Sequence, residues 1–217
     1  MLGWTEMIYN HITLRLPDSV SGAEKQFLIN PFGLHYSEVT ASNLLKIDVH
    51  GKKLDDNPWP VNPAGFTIHS AVHAVREDAG CVIHTHSTHL VACSLQADTA
   101  ADGELAADAQ LLPPITPYFV MKVGRVPHIP YHRPGDPAAA AQVAQTITRY
   151  AAQGSPVRAV MLARLGPNVW HDTPAAAMAV LEELEETARL WLLCQPRPTP
   201  LTEPQIEQLR QTFGAQW

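Results

Sequence analysis

The sequence predicts an α/β fold, and three observations lead to this fold class. In the first part of the chain, residues 12–16 and 26–29 form a hairpin pattern, and a third strand-like segment ends at residue 49. From residue 64 onward, helical and strand-like patterns alternate. The length of 217 residues suits one domain with a sizeable core. These patterns together indicate helices packed on a sheet whose first half is antiparallel.

The middle of the chain carries the clearest change from helix to strand. Apolar side chains in residues 64–76 recur at spacings that fit an amphipathic helix better than a strand. The apolar run 81–83 is typical of a buried strand, and Ser87 can cap a short helix that ends near residue 95. Residues 97–110 are rich in Ala and Asp and predict a loop or a loose helical turn.

Proline and capping residues define the last elements. Pro127 and Pro130 place a strand-like segment at a sheet edge or in irregular structure. Asp136 and Pro137 are typical of the start of a helix. The remaining patterns predict a buried strand over 158–162 and helices over 137–150, 174–194 and 203–213.

Composition and charge exclude several classes of function. Charged residues make up 17% of the chain and apolar residues 46%, which is typical of a globular protein. The net charge of −6 and the absence of a basic cluster argue against a nucleic-acid or membrane-surface partner. The sequence has no run of 18 apolar residues, no signal-peptide pattern and only three scattered cysteines. We therefore expect a cytoplasmic protein without a disulfide framework.

Two histidines follow the buried strand at a spacing that suits a metal. Because side chains alternate faces along a strand, His84 and His86 point the same way. Two imidazoles on one face form half of a site for an ion such as Zn²⁺. Without further residues, the same pair also fits two ordinary surface or core histidines.

Around this pair, several blocks in a fixed order resemble the class II aldolase/adducin family over nearly the whole chain. The blocks are NHITLR at 10–15, FLINPFG at 27–33, ASNL at 41–44, NPAGFTIH at 62–69 and VIHTHS at 82–87. The first half is more similar to the adducin branch. Two later blocks, LPPITPYFVM at 112–121 and PYHRPGD at 130–136, resemble the 3-oxo-tetronate 4-phosphate decarboxylase branch, as does EELEETA at 182–188.

The resemblance implies a fold, a cofactor and an assembly. It implies a three-layer α/β/α architecture around a mostly antiparallel central sheet, in one family domain over residues 1–217 that lacks the family's first helix. It also implies a homotetramer with sites at subunit interfaces and a small-molecule substrate. Zn²⁺ or another divalent ion would polarise a carbonyl or enediolate oxygen and stabilise the carbanion left after carbon–carbon cleavage or loss of CO₂.

The family's site residues carry over only in part. His84 and His86 match the first two metal ligands, but Leu165 stands where the third histidine is expected. Gly65 takes the position of the catalytic glutamate of the aldolases. The phosphate-binding hydroxyls fall at Phe32, Pro63 and Ala64, so that only Asn10 and Gly33 remain from that ligand pocket.

Other residues are candidates to complete the site. His171 follows Leu165 by six residues and is the first candidate for the third metal ligand. His69 is a candidate catalytic base, since its block is intact and a neutral imidazole can act near pH 7. Tyr118 matches a tyrosine that relatives extend across the subunit interface to protonate the carbanion. Each of the three also fits an ordinary structural residue.

Two functions remain open from the sequence. The first is a metal-dependent lyase of the aldolase or decarboxylase type that acts on a small hydroxy- or oxo-acid or a sugar-acid derivative. The second is an inactive family member that serves as an adducin-like binding or scaffolding protein. The histidine pair favours the first, and the replacements at Leu165, Gly65 and Phe32 favour the second.

Overall fold

A mixed sheet forms the centre of the protein in a computed structural model, which describes residues 3, 4, 6, 8–22, 24–97 and 110–217. Within these ranges the sheet has seven strands, in the order β3-β2-β1-β4-β7-β6-β5. The strands are β1 (His11–Arg15), β2 (Phe27–Ile29), β3 (Leu45–Ile47), β4 (Cys81–His84), β5 (His128–Ile129), β6 (Ala159–Leu162) and β7 (Gly166–His171). The helices are α1 (Asp18–Ser21), α2 (Pro63–Val75), α3 (Thr88–Ala97), α4 (Pro117–Lys122), α5 (Pro137–Ala152), α6 (Pro174–Leu193) and α7 (Glu203–Phe213).

The sheet is mostly antiparallel. Only the edge pair of β5 and β6 is parallel among the described strands, and every other neighbouring pair is antiparallel. The register places His11 of β1 opposite His84 of β4, and His84 opposite Asn168 of β7. These three residues therefore form a row across the middle of the sheet, on one face.

Helices cover both faces of the sheet. On the face that carries His84, Val82 and Trp170 pack in one apolar cluster with side chains of α2 and α5. On the other face, Ile83 and Val169 pack in a second cluster with side chains of α3, α4 and α6. The alternation of side chains along β4 and β7 thus separates two cores.

Side-chain caps fix the first turns of α2 and α5, and the cap at Asp136 was predicted from the sequence. Asn62 precedes α2 and accepts a hydrogen bond from the backbone N–H of Gly65 at 3.2 Å. Asp136 accepts one from Ala138 at 3.0 Å, and Pro137 occupies the first turn of α5. The predictions of these helices, and of α6 and α7, are confirmed within one or two residues.

Two elements differ from the sequence-based prediction. The short helix α4 begins at Pro117, in a segment for which the sequence analysis predicted no element. Strand β7 was not predicted, because Gly166 and Pro167 at its start have the composition of a turn. It nevertheless lies in the centre of the sheet, between β4 and β6. The loop predicted over residues 97–110 lies almost entirely outside the described residues.

The glutamates at 182, 183, 185 and 186 in α6 predict a solvated helix face, but the structure does not expose all four. Glu185 is buried and accepts hydrogen bonds from the backbone N–H groups of His89 and Leu90, both at 3.1 Å. It therefore holds the first turn of α3 directly after the histidine pair. No helix in the described ranges has both the length and the apolar character that crossing a membrane requires.

Candidate active site

A cavity of about 280 Å³ lies at the end of β4, between the sheet, the start of α2 and the loop after β5. We call it the histidine cavity. Its lining includes His11, Gly65, His84, His86, Arg133, Leu165 and Asn168. Arg133 is the one formally charged side chain in the part of the lining that the structure describes. The cavity therefore suits a small ligand with a single negative charge.

Both histidines of the predicted metal pair line this cavity and are held through the same ring nitrogen. His84 Nδ1 lies 2.9 Å from the carbonyl oxygen of Pro167, and His86 Nδ1 lies 2.7 Å from Oε2 of Glu6. A carbonyl or carboxylate oxygen can only accept, so Nδ1 carries the hydrogen in each ring. In the neutral rings the lone pair is therefore on Nε2.

This arrangement fits a divalent ion in part. Metal-binding histidines typically donate one ring N–H to a carbonyl or carboxylate and coordinate through the other nitrogen, as these two are arranged to do. Among the described residues, however, no group of three His, Cys, Asp or Glu side chains is placed to hold a metal ion. The pair fits an ion that takes its remaining ligands from water and substrate.

His11 occupies the space that a side chain at position 65 would need. A Cβ atom built on Gly65 would lie 2.5 Å from His11 Cδ2, well inside any normal contact. The His11 ring also stacks on His84, with ring centroids 4.7 Å apart. An imidazole thus stands beside the metal pair in this chain, in the place of the glutamate expected from the family resemblance.

A chain of hydrogen bonds runs from His11 into the core and fixes the position of its protons. His73 Nδ1 donates to the Ala79 carbonyl at 3.0 Å, so His73 Nε2 must accept from Thr13 Oγ1 at 2.8 Å. Thr13 then accepts from His69 Nδ1 at 2.8 Å, and His69 Nε2 accepts from His11 Nδ1 at 3.0 Å. The lone pair of neutral His11 is consequently on Nε2, at the cavity end of the chain.

Burial keeps these rings neutral. It lowers the pKa of His84 to about 3, with a smaller effect of the neighbouring His86. Burial also lowers the pKa of His73 to about 3, with a further contribution from the charge of Arg15. The pKa values of His11 and His69 lie well below their usual range, again chiefly through burial. The Nε2 lone pairs of His11 and His84 are therefore available at neutral pH.

The structure does not bring His171 to the metal pair. His171 lies opposite Cys81, at the start of β4, whereas His84 is at its end. A separation of three strand residues corresponds to roughly 10 Å. The His171 ring instead interacts with Arg158 and Asp172, away from the cavity. The reason is that residues 166–171 form a strand, which carries His171 away from Leu165.

The two predicted catalytic residues also lie outside the cavity lining. His69 is fully buried behind His11 and acts on the cavity only through that ring. Tyr118 is 63% exposed at the start of α4 and does not line the cavity of its own chain.

The two predicted ligand-binding residues are not among the residues that line the cavity. Asn10 is buried, and its Oδ1 accepts a hydrogen bond from the His86 backbone N–H at 2.9 Å. Its Nδ2 donates to the Trp4 carbonyl at 2.9 Å, so the amide is engaged in positioning the chain around His86. Gly33 has a φ of +100°, a backbone conformation that favours glycine, in the turn after β2.

Two residues of the cavity were not singled out from the sequence. His11 was visible only as part of the block at 10–15, and its role depends on β1 pairing with β4. Asn168 lies in the strand that the sequence did not predict. A signal for His11 existed, since a histidine can replace a missing glutamate. The strand pairing that brings His11 beside His84, however, joins residues 73 apart in the sequence.

Comparisons with known proteins identify the family to which this chain is similar. The family model described as Class II Aldolase and Adducin N-terminal domain matches residues 1–192. A 3-oxo-tetronate 4-phosphate decarboxylase from Cupriavidus necator is 46% identical over 221 residues, which cover 99% of this chain and 90% of the relative. Rat alpha-adducin is 41% identical over 134 residues, covering 61% of this chain and 16% of the adducin.

Solved structures show the same fold. The crystal structure of YgbL from Escherichia coli has a TM-score of 0.77 and 30% sequence identity, covering 96% of this chain and 90% of that one. The sequence-based prediction of the family is confirmed, as is that of an α/β fold with a mostly antiparallel sheet. The match over residues 1–192, together with the decarboxylase and adducin relatives, shows that the chain belongs to the class II aldolase and adducin family.

Proposed function

We propose that this protein is a lyase of the aldolase or decarboxylase type that acts on a small hydroxy- or oxo-acid. The observation that carries the proposal is the orientation of the rings of His84 and His86, each held through Nδ1 with Nε2 left to bind. The similarity to a 3-oxo-tetronate 4-phosphate decarboxylase over nearly the whole chain supports the reaction type.

A divalent ion is the cofactor that this site would use. Class II aldolases are generally dependent on a divalent metal, and Nε2 of His84 and of His86 would hold the ion here. When bound, such an ion supplies a Lewis acid for an oxygen of the substrate. With only two protein ligands, we expect it to bind more weakly than at a site with three.

The His11 ring takes the place of the missing glutamate in this proposal. Its Nε2 carries a lone pair at the cavity, and its Nδ1 is fixed by His69. A base in this position can accept a proton from a substrate hydroxyl and later release it to solvent. Because the ring is anchored through the chain that ends at Ala79, it needs no reorientation to do so.

The charge of the cavity favours an acid as substrate. Arg133 borders it with a side chain that is 69% exposed, so the guanidinium can turn toward a carboxylate. The volume of about 280 Å³ suits an acid of a few carbons. Among the described lining residues, the others carry no formally charged side chain, and they include histidines, asparagines and apolar side chains.

A neighbouring subunit would complete the site. Related class II aldolases are oligomeric, and we propose a homotetramer for this chain as well. Tyr118 is exposed on α4 and is free to enter the cavity of a neighbour, where its hydroxyl would donate a proton to the product carbanion.

The alternative function is an inactive, adducin-like binding protein. It is favoured by Leu165, which borders the cavity without a ligand atom, and by Gly65 and Phe32 at positions where the aldolases use polar groups. The similarity of 61% of the chain to alpha-adducin supports it too. A protein of this type would retain the fold and bind a partner without turnover.

Turnover of small acids separates the two functions. We expect release of CO₂ or of an aldehyde from at least one member of a panel of 2-hydroxy, 3-oxo and phosphorylated sugar acids, assayed with added Zn²⁺. His84→Ala should lower that rate by about 100-fold or more, since the residue lies at the reacting centre. His50→Ala is the control, because His50 is exposed and does not line the cavity. Equal rates in the wild type and His84→Ala would refute the lyase proposal.

A further inference from the structure

Asn168 is a buried polar side chain whose hydrogen bonding the fold leaves incomplete. It has no exposed surface (0%) and borders the histidine cavity. No described residue forms a hydrogen bond with its Oδ1 or its Nδ2. Burying an amide without partners destabilises a fold, and nearly all buried polar groups have one. The packing of β7 therefore gives no reason for an asparagine at this position.

The position of Asn168 places it at the reacting end of the cavity. It lies opposite His84, and His84 lies opposite His11, so three polar side chains form one row across β7, β4 and β1. Directly opposed side chains in an antiparallel pair have Cβ atoms about 5 Å apart. A small ligand beside His84 would thus be within reach of the Asn168 amide.

The surroundings of Asn168 offer no alternative partner. Val160 of β6 is its neighbour on the other side, and it has no polar side-chain atom. Leu162 and Leu165 border the same part of the cavity and are apolar as well. A ligand in the cavity would therefore give the amide partners that these neighbours do not supply.

We propose that Asn168 recognises the substrate, as a specificity-determining residue for small 2-hydroxy acids. Its Nδ2 donates to a carboxylate or carbonyl oxygen, and its Oδ1 accepts from the adjacent hydroxyl. A 2-hydroxy acid presents this pair of groups on neighbouring carbons, which a simple carboxylic acid does not. This inference rests on the proposed function of the cavity. It identifies the carboxylate and the adjacent hydroxyl as the substrate groups that Asn168 of β7 binds.

The binding test compares two acids that differ in their hydroxyl groups. The shift in Tm of the full-length protein is measured with D-glycerate and with propanoate at matched concentrations, with and without Zn²⁺. We expect D-glycerate to stabilise the wild type more than propanoate does. Asn168→Val should weaken D-glycerate binding by about tenfold or more, the effect of losing hydrogen bonds to a charged ligand. Propanoate binding should change less.

A second readout separates recognition from a structural role. Without ligand, Asn168→Val should raise Tm by about 3 °C or more, because it removes an unpartnered buried amide. Asn57→Val is the matched control, since Asn57 donates to the Asn43 carbonyl at 3.1 Å and accepts from the Trp59 N–H at 3.1 Å. That variant should lower Tm and leave D-glycerate binding unchanged.

Three outcomes would overturn the inference. They are an Asn168→Val variant with unchanged D-glycerate affinity, a fall in its ligand-free Tm, or a loss of bound Zn²⁺ that would make Asn168 a metal ligand instead. The outcomes also distinguish this inference from the proposed function. Selective D-glycerate binding without turnover of any acid supports the role of Asn168 and refutes the lyase, whereas turnover that Asn168→Val leaves unchanged does the reverse.

Discussion

The protein is expected to lose a large part of its stability between pH 6.5 and pH 5. Burial lowers the pKa values of four histidines, and for His73 and His84 it lowers them to about 3. In the unfolded chain a histidine has a pKa near 6.5, so below that pH the unfolded state binds more protons than the folded state. The stabilisation is therefore complete above pH 6.5 and is lost progressively toward pH 3.

The expected size of this effect is large. Between pH 6.5 and pH 5, each histidine that stays neutral in the folded state lowers the free energy of unfolding by about 1.5 kcal/mol. His73 and His84 together account for about 3 kcal/mol, a large part of the stability of a typical domain, and His11 and His69 act in the same direction. The window lies above the pKa range of Asp and Glu, so carboxylates contribute little to it.

Denaturant unfolding of metal-free protein at a series of pH values measures this dependence. Replacing His73 by Gln should lower the number of protons taken up on unfolding by about one, and with it the slope of the free energy of unfolding against pH. His50→Gln, at an exposed site, should leave that slope unchanged. A free energy of unfolding that stays constant from pH 6.5 to pH 5 would show that the four rings are not buried and neutral as described.

Restoring the glutamate of the aldolases at position 65 is expected to disable this protein. The Cβ atom of Gly65→Glu would lie 2.5 Å from the His11 ring, so the ring must leave its place between Gly65 and His84. That shift breaks the hydrogen bond to His69 and costs about 1–3 kcal/mol of stability, as is typical of overpacking. Activity should fall with it.

A double variant tests the cause of this loss. Adding His11→Ala to Gly65→Glu removes the clash, so the double variant should be more stable than the two single changes predict together. Ala74→Glu, on the exposed side of the same helix, is the control for a new carboxylate and should be nearly neutral. Full activity and unchanged stability in Gly65→Glu would contradict the assignment of this space to His11.

The local part of the site could be predicted from the sequence, because strand geometry determines it. The alternation of side chains along a strand placed His84 and His86 on one face, and both border the cavity. The cap at Asp136 likewise follows from a short-range rule, and α5 begins where predicted, at Pro137.

The rest of the site depends on pairings between distant segments, which no local pattern contains. His11 reaches His84 only because β1 pairs with β4, and Asn168 reaches it only because β7 pairs with β4. The assignment of His171 as the third metal ligand failed for the same reason. Gly166 and Pro167 have the composition of a turn, so the central strand β7 was not predicted. The course of the hydrogen bonds from His11 to Ala79 required the packing of α2 on β1.

The proposed lyase depends on a divalent ion held by Nε2 of His84 and of His86. Elemental analysis shows whether such an ion binds, in protein purified without chelator and supplemented with Zn²⁺, beside His84→Ala and the exposed control His50→Ala. We expect about one Zn²⁺ per chain in the wild type and in His50→Ala, and its loss in His84→Ala. Zinc absent from the supplemented wild type, or retained equally in His84→Ala, would contradict it and favour the adducin-like binding protein.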